Sequence, residues 1–211
     1  MRIITVSREF GSGGREVGKR LADALGIAYY DREILEEVAK RSNLDEGYIE
    51  KTLEGGVRMQ YPITFSHSFS YIPLQQNPAQ NILAQQHKVL LSLAERGDCV
   101  IVGRSADVIL EQYQPMRLFV YADMDAKMQR CRERAPEGES YTDKELRRRI
   151  RQIDKARAAN HDFVSAFPWG DRRGYDLCIN TTDCSIKHLI PGLAAYTGAW
   201  FAEREGTTHA E

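Results

Sequence analysis

The stretch Ser7-Arg8-Glu9-Phe10-Gly11-Ser12-Gly13-Gly14-Arg15-Glu16-Val17-Gly18-Lys19-Arg20 constrains this chain more than any other. It follows a β-branched run at 2–7 and enters an amphipathic pattern in which Val17, Leu21 and Leu25 recur at four-residue spacing. Glycine lets successive backbone N–H groups turn inward around an anion, and the first turn of the following helix adds partial positive charge. Glycines this dense beside arginines exceed what a plain turn needs, so the stretch reads as a phosphate cradle between a strand and a helix.

The rest of the chain continues the alternation. Apolar, β-branched runs at 2–7, 27–30, 98–102, 116–121 and 175–180 predict five strands. Spacings of three and four predict helices at 14–25, 32–42, 79–96, 104–113, 125–135, 143–161 and 185–203. Strands alternating with helices imply an α/β fold, a five-stranded parallel sheet flanked by helices on both faces. The length of 211 residues fits a single domain over 1–205 with a tail at 206–211. Residues 43–97, with Gly55-Gly56, Pro62, Pro73 and the run Phe65–Tyr71, read as an insertion over the sheet edge that covers a pocket or forms the interface of a homodimer. A Gly/Pro-bearing segment at 135–142 between two Arg-rich helices reads as the tip of a helical lid spanning about 130–150.

Composition narrows the function classes. With 29 Lys+Arg against 30 Asp+Glu the formal net charge is −1, so no global basic field recruits a nucleic acid polymer or an anionic membrane, and an anion site must be local. No apolar stretch reaches membrane-span length and the N-terminus offers no secretory h-region, which makes the cytoplasm the expected compartment. Cys99, Cys131, Cys178 and Cys184 lack C-x-x-C spacing and fall in apolar or helical stretches, the pattern of buried thiols. The five histidines show no ligand spacing and read as structural or surface residues, and no Ser-His-Asp or Cys-His arrangement points to nucleophilic catalysis.

The cradle has two registers against G-x-x-x-x-G-K-[ST]. Gly13 through Lys19 fits the letters, but that loop starts late after the strand and puts Arg20 where a hydroxyl should bind Mg²⁺. An earlier register keeps the usual distance from the strand and puts Gly14 at the lysine position, with Glu16, two residues further on, read in place of the hydroxyl. Arg8, Arg15 or Lys19 must then supply the cation for the β/γ-phosphates, and Glu16, another residue or water must hold the metal. Lys19 reads equally as a solvated face residue.

Further motifs follow in order: Ala28-Tyr-Tyr-Asp31, Val100-Ile-Val-Gly103-Arg104-Ser105, Leu118 through Arg134, Ile150-Arg151-Gln-Ile-Asp154-Lys-Ala-Arg157, Trp169-Gly170-Asp171, and Tyr175 through Thr182 with Ser185-Ile186. Over about 1–42 and 98–195 the sequence resembles the cytidylate kinases, most closely the branch called cytidylate kinase-like, within the P-loop nucleoside monophosphate kinases. Aligning the first strand and Asp31 without gaps favours the earlier register. The chain departs from the pattern at Ser105, which replaces an Asp, at the displaced Arg151, and at Arg32-Glu33-Ile34 and Glu36-Glu37 in the acceptor region.

The resemblance implies ATP·Mg²⁺-dependent phosphoryl transfer to a nucleoside monophosphate, with CMP or dCMP first. It implies that Arg8, Gly11, Ser12, Gly13, Gly14, Arg15 and Glu16 cradle the ATP phosphates, with Glu16 as a Mg²⁺ ligand and Thr181 in a loop approaching the purine. Asp31, Arg32 and Arg104 would place the acceptor, and the insertion at about 43–97 would bind it. Arg15, Arg130, Arg134, Arg151, Asp154 and Arg157 would organise the transition state, since such transfer needs alignment and cations rather than covalent chemistry. Arginines at three- and four-residue spacing on helix 143–161 also fit a salt-bridge-laced surface, and Asp31 also fits a plain N-cap. Two other functions stay open: a kinase for another small phosphorylatable metabolite, and a nucleotide-binding regulator that has lost turnover.

Overall fold

The computed structural model describes residues 1–49, 78–136 and 141–207; the glycine pair, Phe65–Tyr71 and most of the proposed insertion lie outside them. Five parallel strands, β1 (Ile3–Arg8), β2 (Ala28–Tyr30), β3 (Cys99–Val102), β4 (Met116–Tyr121) and β5 (Leu177–Asn180), form a sheet of order β2-β3-β1-β4-β5. β1 is central, pairing Val6 with Val102 on one side and with Leu118 on the other. β1 is buried from Ile3 to Ser7, which is why it opens on the β-branched run Ile3–Val6.

Side chains alternate across the strands and feed two cores. Ile3, Cys99 and Ile101 face α2 (Arg32–Ser42) and α3 (Pro78–Ala94), whereas Ile4, Val6, Val100 and Val102 face α1 (Gly14–Leu25) and α7 (Ile186–Thr207). α3 supplies Ile82, Val89, Leu90 and Leu93 to the first core, so the C-terminal part of the 43–97 segment is core helix. A third, smaller cluster joins α5 (Met124–Glu133) to α6 (Asp143–Asp162) through Met128, Leu146 and Ile150. Thr142 and Glu145 close a capping box that starts α6.

Two elements depart from expectation. The helix expected over 104–113 is a short α4 (Ala106–Ile109) followed by a 3₁₀ turn, because Gly103, Arg104 and Ser105 all take left-handed backbone angles and delay its start. α7 runs to Thr207, past the expected tail boundary at 206. Of the cysteines only Cys99 is fully buried, and Cys184 is exposed in the loop after β5, so the buried-thiol expectation holds in part. No helix among the described residues is long and apolar enough to cross a membrane.

Candidate active site

β1, β3 and β4 end at the same edge of the sheet, where open α/β sheets bind ligands. From β1 the chain enters the glycine loop, whose Gly11 and Gly13 have φ of 78° and 82°, and α1 begins at Gly14. A side chain at Gly11 would strike the Lys127 carbonyl at 2.8 Å, so the loop needs glycine there to lie against α5. Ser12 is buried; its N–H and hydroxyl both donate to the Glu9 carbonyl.

Side chains from distant segments brace this loop. The Phe10 N–H donates to Asp154 Oδ1 at 2.6 Å, and the Lys127 ammonium donates to Asp154 Oδ2 at 3.0 Å and to Glu9 Oε2 at 3.1 Å. The Thr181 hydroxyl donates to the Ser12 carbonyl at 2.7 Å, and Arg130 donates to both the hydroxyl and the carbonyl of Thr181. Asp154 and Thr181 therefore hold the loop through its backbone, and Arg130 in turn holds Thr181. Sequence reasoning missed Lys127 and Glu9. The available signal was a lysine three residues after Met124 and four before Cys131, on the apolar stripe of α5.

Two cavities flank the loop. The first, about 610 Å³, lies between the loop and the facing parts of α5 and α6, with Gly11, Gly13, Gly14, Arg130, Arg134 and Arg149 among its lining residues. The second, about 520 Å³, lies over the ends of β1 and β3 and reaches α3 and α6, with Lys88, Arg104, Ile109, Ile153, His161 and Trp169 in its wall. Arg8, Arg15 and Arg157 line both. Arg157 donates to the Arg8 carbonyl at 3.1 Å and lies over the Phe10 ring.

Asp31, just after β2, is buried and forms an ion pair with Arg15, Nε to Oδ2 2.7 Å, with Arg8 Nη2 3.8 Å away. It stands at the N-cap of α2 yet makes no side-chain cap bond, because its carboxylate faces the arginines. Burial, and then the neighbouring cation Arg157, hold the Arg8 guanidinium's pKa well below its ordinary value despite the opposing pull of Asp31. A crowded, desolvated cation of this kind gains from an incoming anion. At Arg104 the left-handed φ of 62° is the sort of backbone cost that clusters at functional sites.

Other expected residues stand elsewhere. Arg32 and Arg151 are exposed and line neither cavity. Lys19 pairs with Asp23 on the outer face of α1. Glu16 accepts Arg20 at one oxygen and Arg134 at the other; burial raises its pKa, but those bonds outweigh it and the carboxyl sits below its usual range. No group of three or more His, Cys, Asp or Glu among the described residues is placed to hold a metal. His161, expected in a structural or surface role, is buried with Nε2 2.8 Å from Asp107 Oδ2 and Nδ1 3.4 Å from Asp162.

No curated protein matches the chain. Among solved structures it is similar to an uncharacterized protein from Eubacterium ventriosum, at 28% identity and TM-score 0.67 over 94% of this chain and 99% of that one. A shikimate kinase from Acinetobacter baumannii, in complex with shikimate, shares the fold at 15% identity and TM-score 0.51, over 92% of this chain and 90% of that one. A gluconokinase from Sinorhizobium meliloti does so at 19% identity and TM-score 0.52, over 98% and 97%. The model of the cytidylate kinase-like family matches residues 3–183, from the first strand to the loop after the last, and the chain belongs to that family, which supports a kinase of small metabolites.

Proposed function

We propose that this protein transfers the terminal phosphoryl group of ATP to a nucleoside monophosphate, CMP or dCMP first. The observation that carries the reading is the junction of two cation-lined cavities at Arg8, Arg15 and Arg157. A donor triphosphate in the loop cavity and an acceptor phosphate in the other would meet at those guanidinium groups, which suit phosphate oxygens bidentately. The acceptor cavity carries Arg8, Arg15, Lys88, Arg104 and Arg157 with no carboxylate among its described lining residues, beside an apolar wall of Leu83, Ile109, Ile153 and Val164. That pairing of charge and apolar surface fits an acceptor with an anionic end and a flat, apolar body.

An acceptor phosphate is already ionised, so no general base is required. This agrees with His161, the wall residue best suited to that task, having both ring nitrogens turned toward carboxylates. Magnesium bound with the triphosphate would supply charge neutralisation at the phosphate oxygens. Such ions are held mainly by phosphates and water with one or two carboxylates. Glu16 fits that role only after releasing Arg20 or Arg134.

Glu36 and Glu37, in the region where the family has an arginine for the nucleotide, favour a second reading, a kinase of another small phosphorylatable metabolite. Coupled phosphotransfer with ATP·Mg²⁺ against a panel of nucleoside monophosphates and other small anionic acceptors separates them, run beside Arg15→Ala with nucleotide binding in parallel. Turnover of CMP or dCMP that collapses in the variant is the expected result. ATP binding without turnover of any monophosphate overturns the nucleotide acceptor.

A further inference from the structure

We propose that Arg8 is the phosphate-binding cation of the loop, through a paired exchange in which residues 8 and 14 have traded the glycine and the cation of the ordinary cradle. The proposal rests on the kinase reading above, but not on the identity of the acceptor. In the register fixed by the strand, the first glycine of G-x-x-x-x-G-K falls at Arg8 and the lysine at Gly14. The structure shows that these positions contend for one volume. A Cβ on Gly14 would overlap the Arg8 Cβ and lie 2.8 Å from its Cγ. A lysine stem cannot leave residue 14 while Arg8 stands, and an arginine stem at 8 fits because residue 14 has none.

The Arg8 side chain then crosses the sheet edge. Its guanidinium covers Gly103, where a Cβ would lie 2.7 Å from Arg8 Cζ, and the side chain is 11% exposed. Its stem thus lies at the start of α1, where a cradle lysine would begin, and its head lies over the end of β3 on the acceptor side. The other two candidate cations are placed differently. Lys19 points away from both cavities to Asp23, and Arg15 is 58% exposed and engaged by Asp31 at 2.7 Å. The exchange therefore moves the cation from the helix start to the seam between the cavities, where it can serve a phosphoryl group on its way from donor to acceptor.

The test is a swap measured by binding and by thermal unfolding on the full chain. Arg8→Ala is expected to cut the preference for ATP over AMP by about tenfold or more, as loss of one charge-assisted phosphate contact should. Arg8→Lys should keep part of that preference. Gly14→Lys alone should lower the unfolding temperature, because the new stem meets Arg8, and the double variant R8G/G14K should recover both the temperature and the ATP preference. An Arg8→Ala protein that keeps the wild-type ratio overturns the proposal, as does a Gly14→Lys protein as stable as wild type. If no monophosphate is phosphorylated but the ratio still falls in Arg8→Ala, the acceptor reading fails and this one stands.

Discussion

The two cavities share Arg8, Arg15 and Arg157 and differ in how their remaining cations are answered. On the loop side the arginines at the end of α5 are answered from within the fold: Arg130 by Thr181, Arg132 by Asp143 and Arg134 by Glu16. At the shared seam Arg8 and Arg15 converge on one carboxylate, Asp31, and the proposed acceptor side adds Lys88 and Arg104. A wall in which cations outnumber anions and water is partly excluded has standing affinity for an anionic ligand. A wall of satisfied pairs instead keeps its shape until a ligand displaces a partner. The loop side is thus braced in advance, and the acceptor side is held short of negative charge.

The sharpest way to break the contrast is to remove the brace. Lys127 is 6% exposed between Glu9 and Asp154, so Lys127→Met takes the shared cation from both carboxylates and leaves Asp154 only Arg157, 4.0 Å away. Breaking a buried pair from one side costs about 3–5 kcal/mol, and denaturant unfolding should show a loss in that range. The same change loosens the Phe10 N–H contact through Asp154, so nucleotide affinity should fall with stability. A loss under about 1 kcal/mol, the scale of an exposed pair, would mean that the brace is ornamental.

The next largest effect belongs to the seam. Arg157 faces both cavities and holds the Arg8 carbonyl, whereas Arg151, six residues earlier on α6, is exposed. Arg157→Ala should lower phosphotransfer by about 100-fold, the magnitude of losing one preorganised donor to developing charge. Arg151→Ala should change it by less than about twofold, as a solvated surface residue would. Equal losses would place the catalytic face of α6 elsewhere and reduce the seam to a cavity boundary.

That pair also shows what the sequence could and could not reveal. Strand positions were legible most clearly where β1, β3 and β4 are largely buried apolar runs, and helix positions where an apolar stripe recurs, as at Val17 and Leu21 of α1. The glycine loop was legible because backbone geometry is local: φ near 80° at Gly11 and Gly13 leaves its mark in residue type. Spacing alone grouped Arg147, Arg151, Asp154 and Arg157 on one helix, but which of them faces the loop depends on how α6 packs on α5, set by Met128, Leu146 and Ile150 far apart in sequence. Arg147 ends on Asp125 and Arg151 in solvent. The Arg8–Gly14 contest leaves no mark in periodicity, and for the brace the sequence offers a lysine on an apolar stripe but not its partners Glu9 and Asp154, which come from other segments.

A smaller effect sharpens the acceptor side. Asp31→Asn removes the charge that gathers Arg15 and Arg8 but leaves both cations in place. The acceptor KM should rise about tenfold, or 1.4 kcal/mol, as the guanidinium groups lose their fixed positions, while the donor KM moves far less. A larger rise in the donor constant would show that Asp31 serves the loop.

The smallest effect is a pH dependence of stability centred on His161. Burial lowers the imidazole's pKa, but the hydrogen bond and charge of Asp107, followed by those of Asp162, outweigh burial and leave it raised above its ordinary value. A group whose folded pKa is raised contributes stability that is fully present below the unfolded value, about 6.5, and is lost as pH rises through the folded value. Thermal unfolding of the wild type should therefore shift to lower temperature as pH is raised from about 6 into the mildly alkaline range. His161→Gln keeps a donor for Asp107 but cannot titrate, so that component of the slope should vanish. A slope unchanged in the variant would assign the pH dependence to other groups and leave the Asp107–His161 pair a packing contact of the acceptor wall; a slope of opposite sign would mean that the imidazole is held neutral in the fold, the burial penalty outweighing both carboxylates.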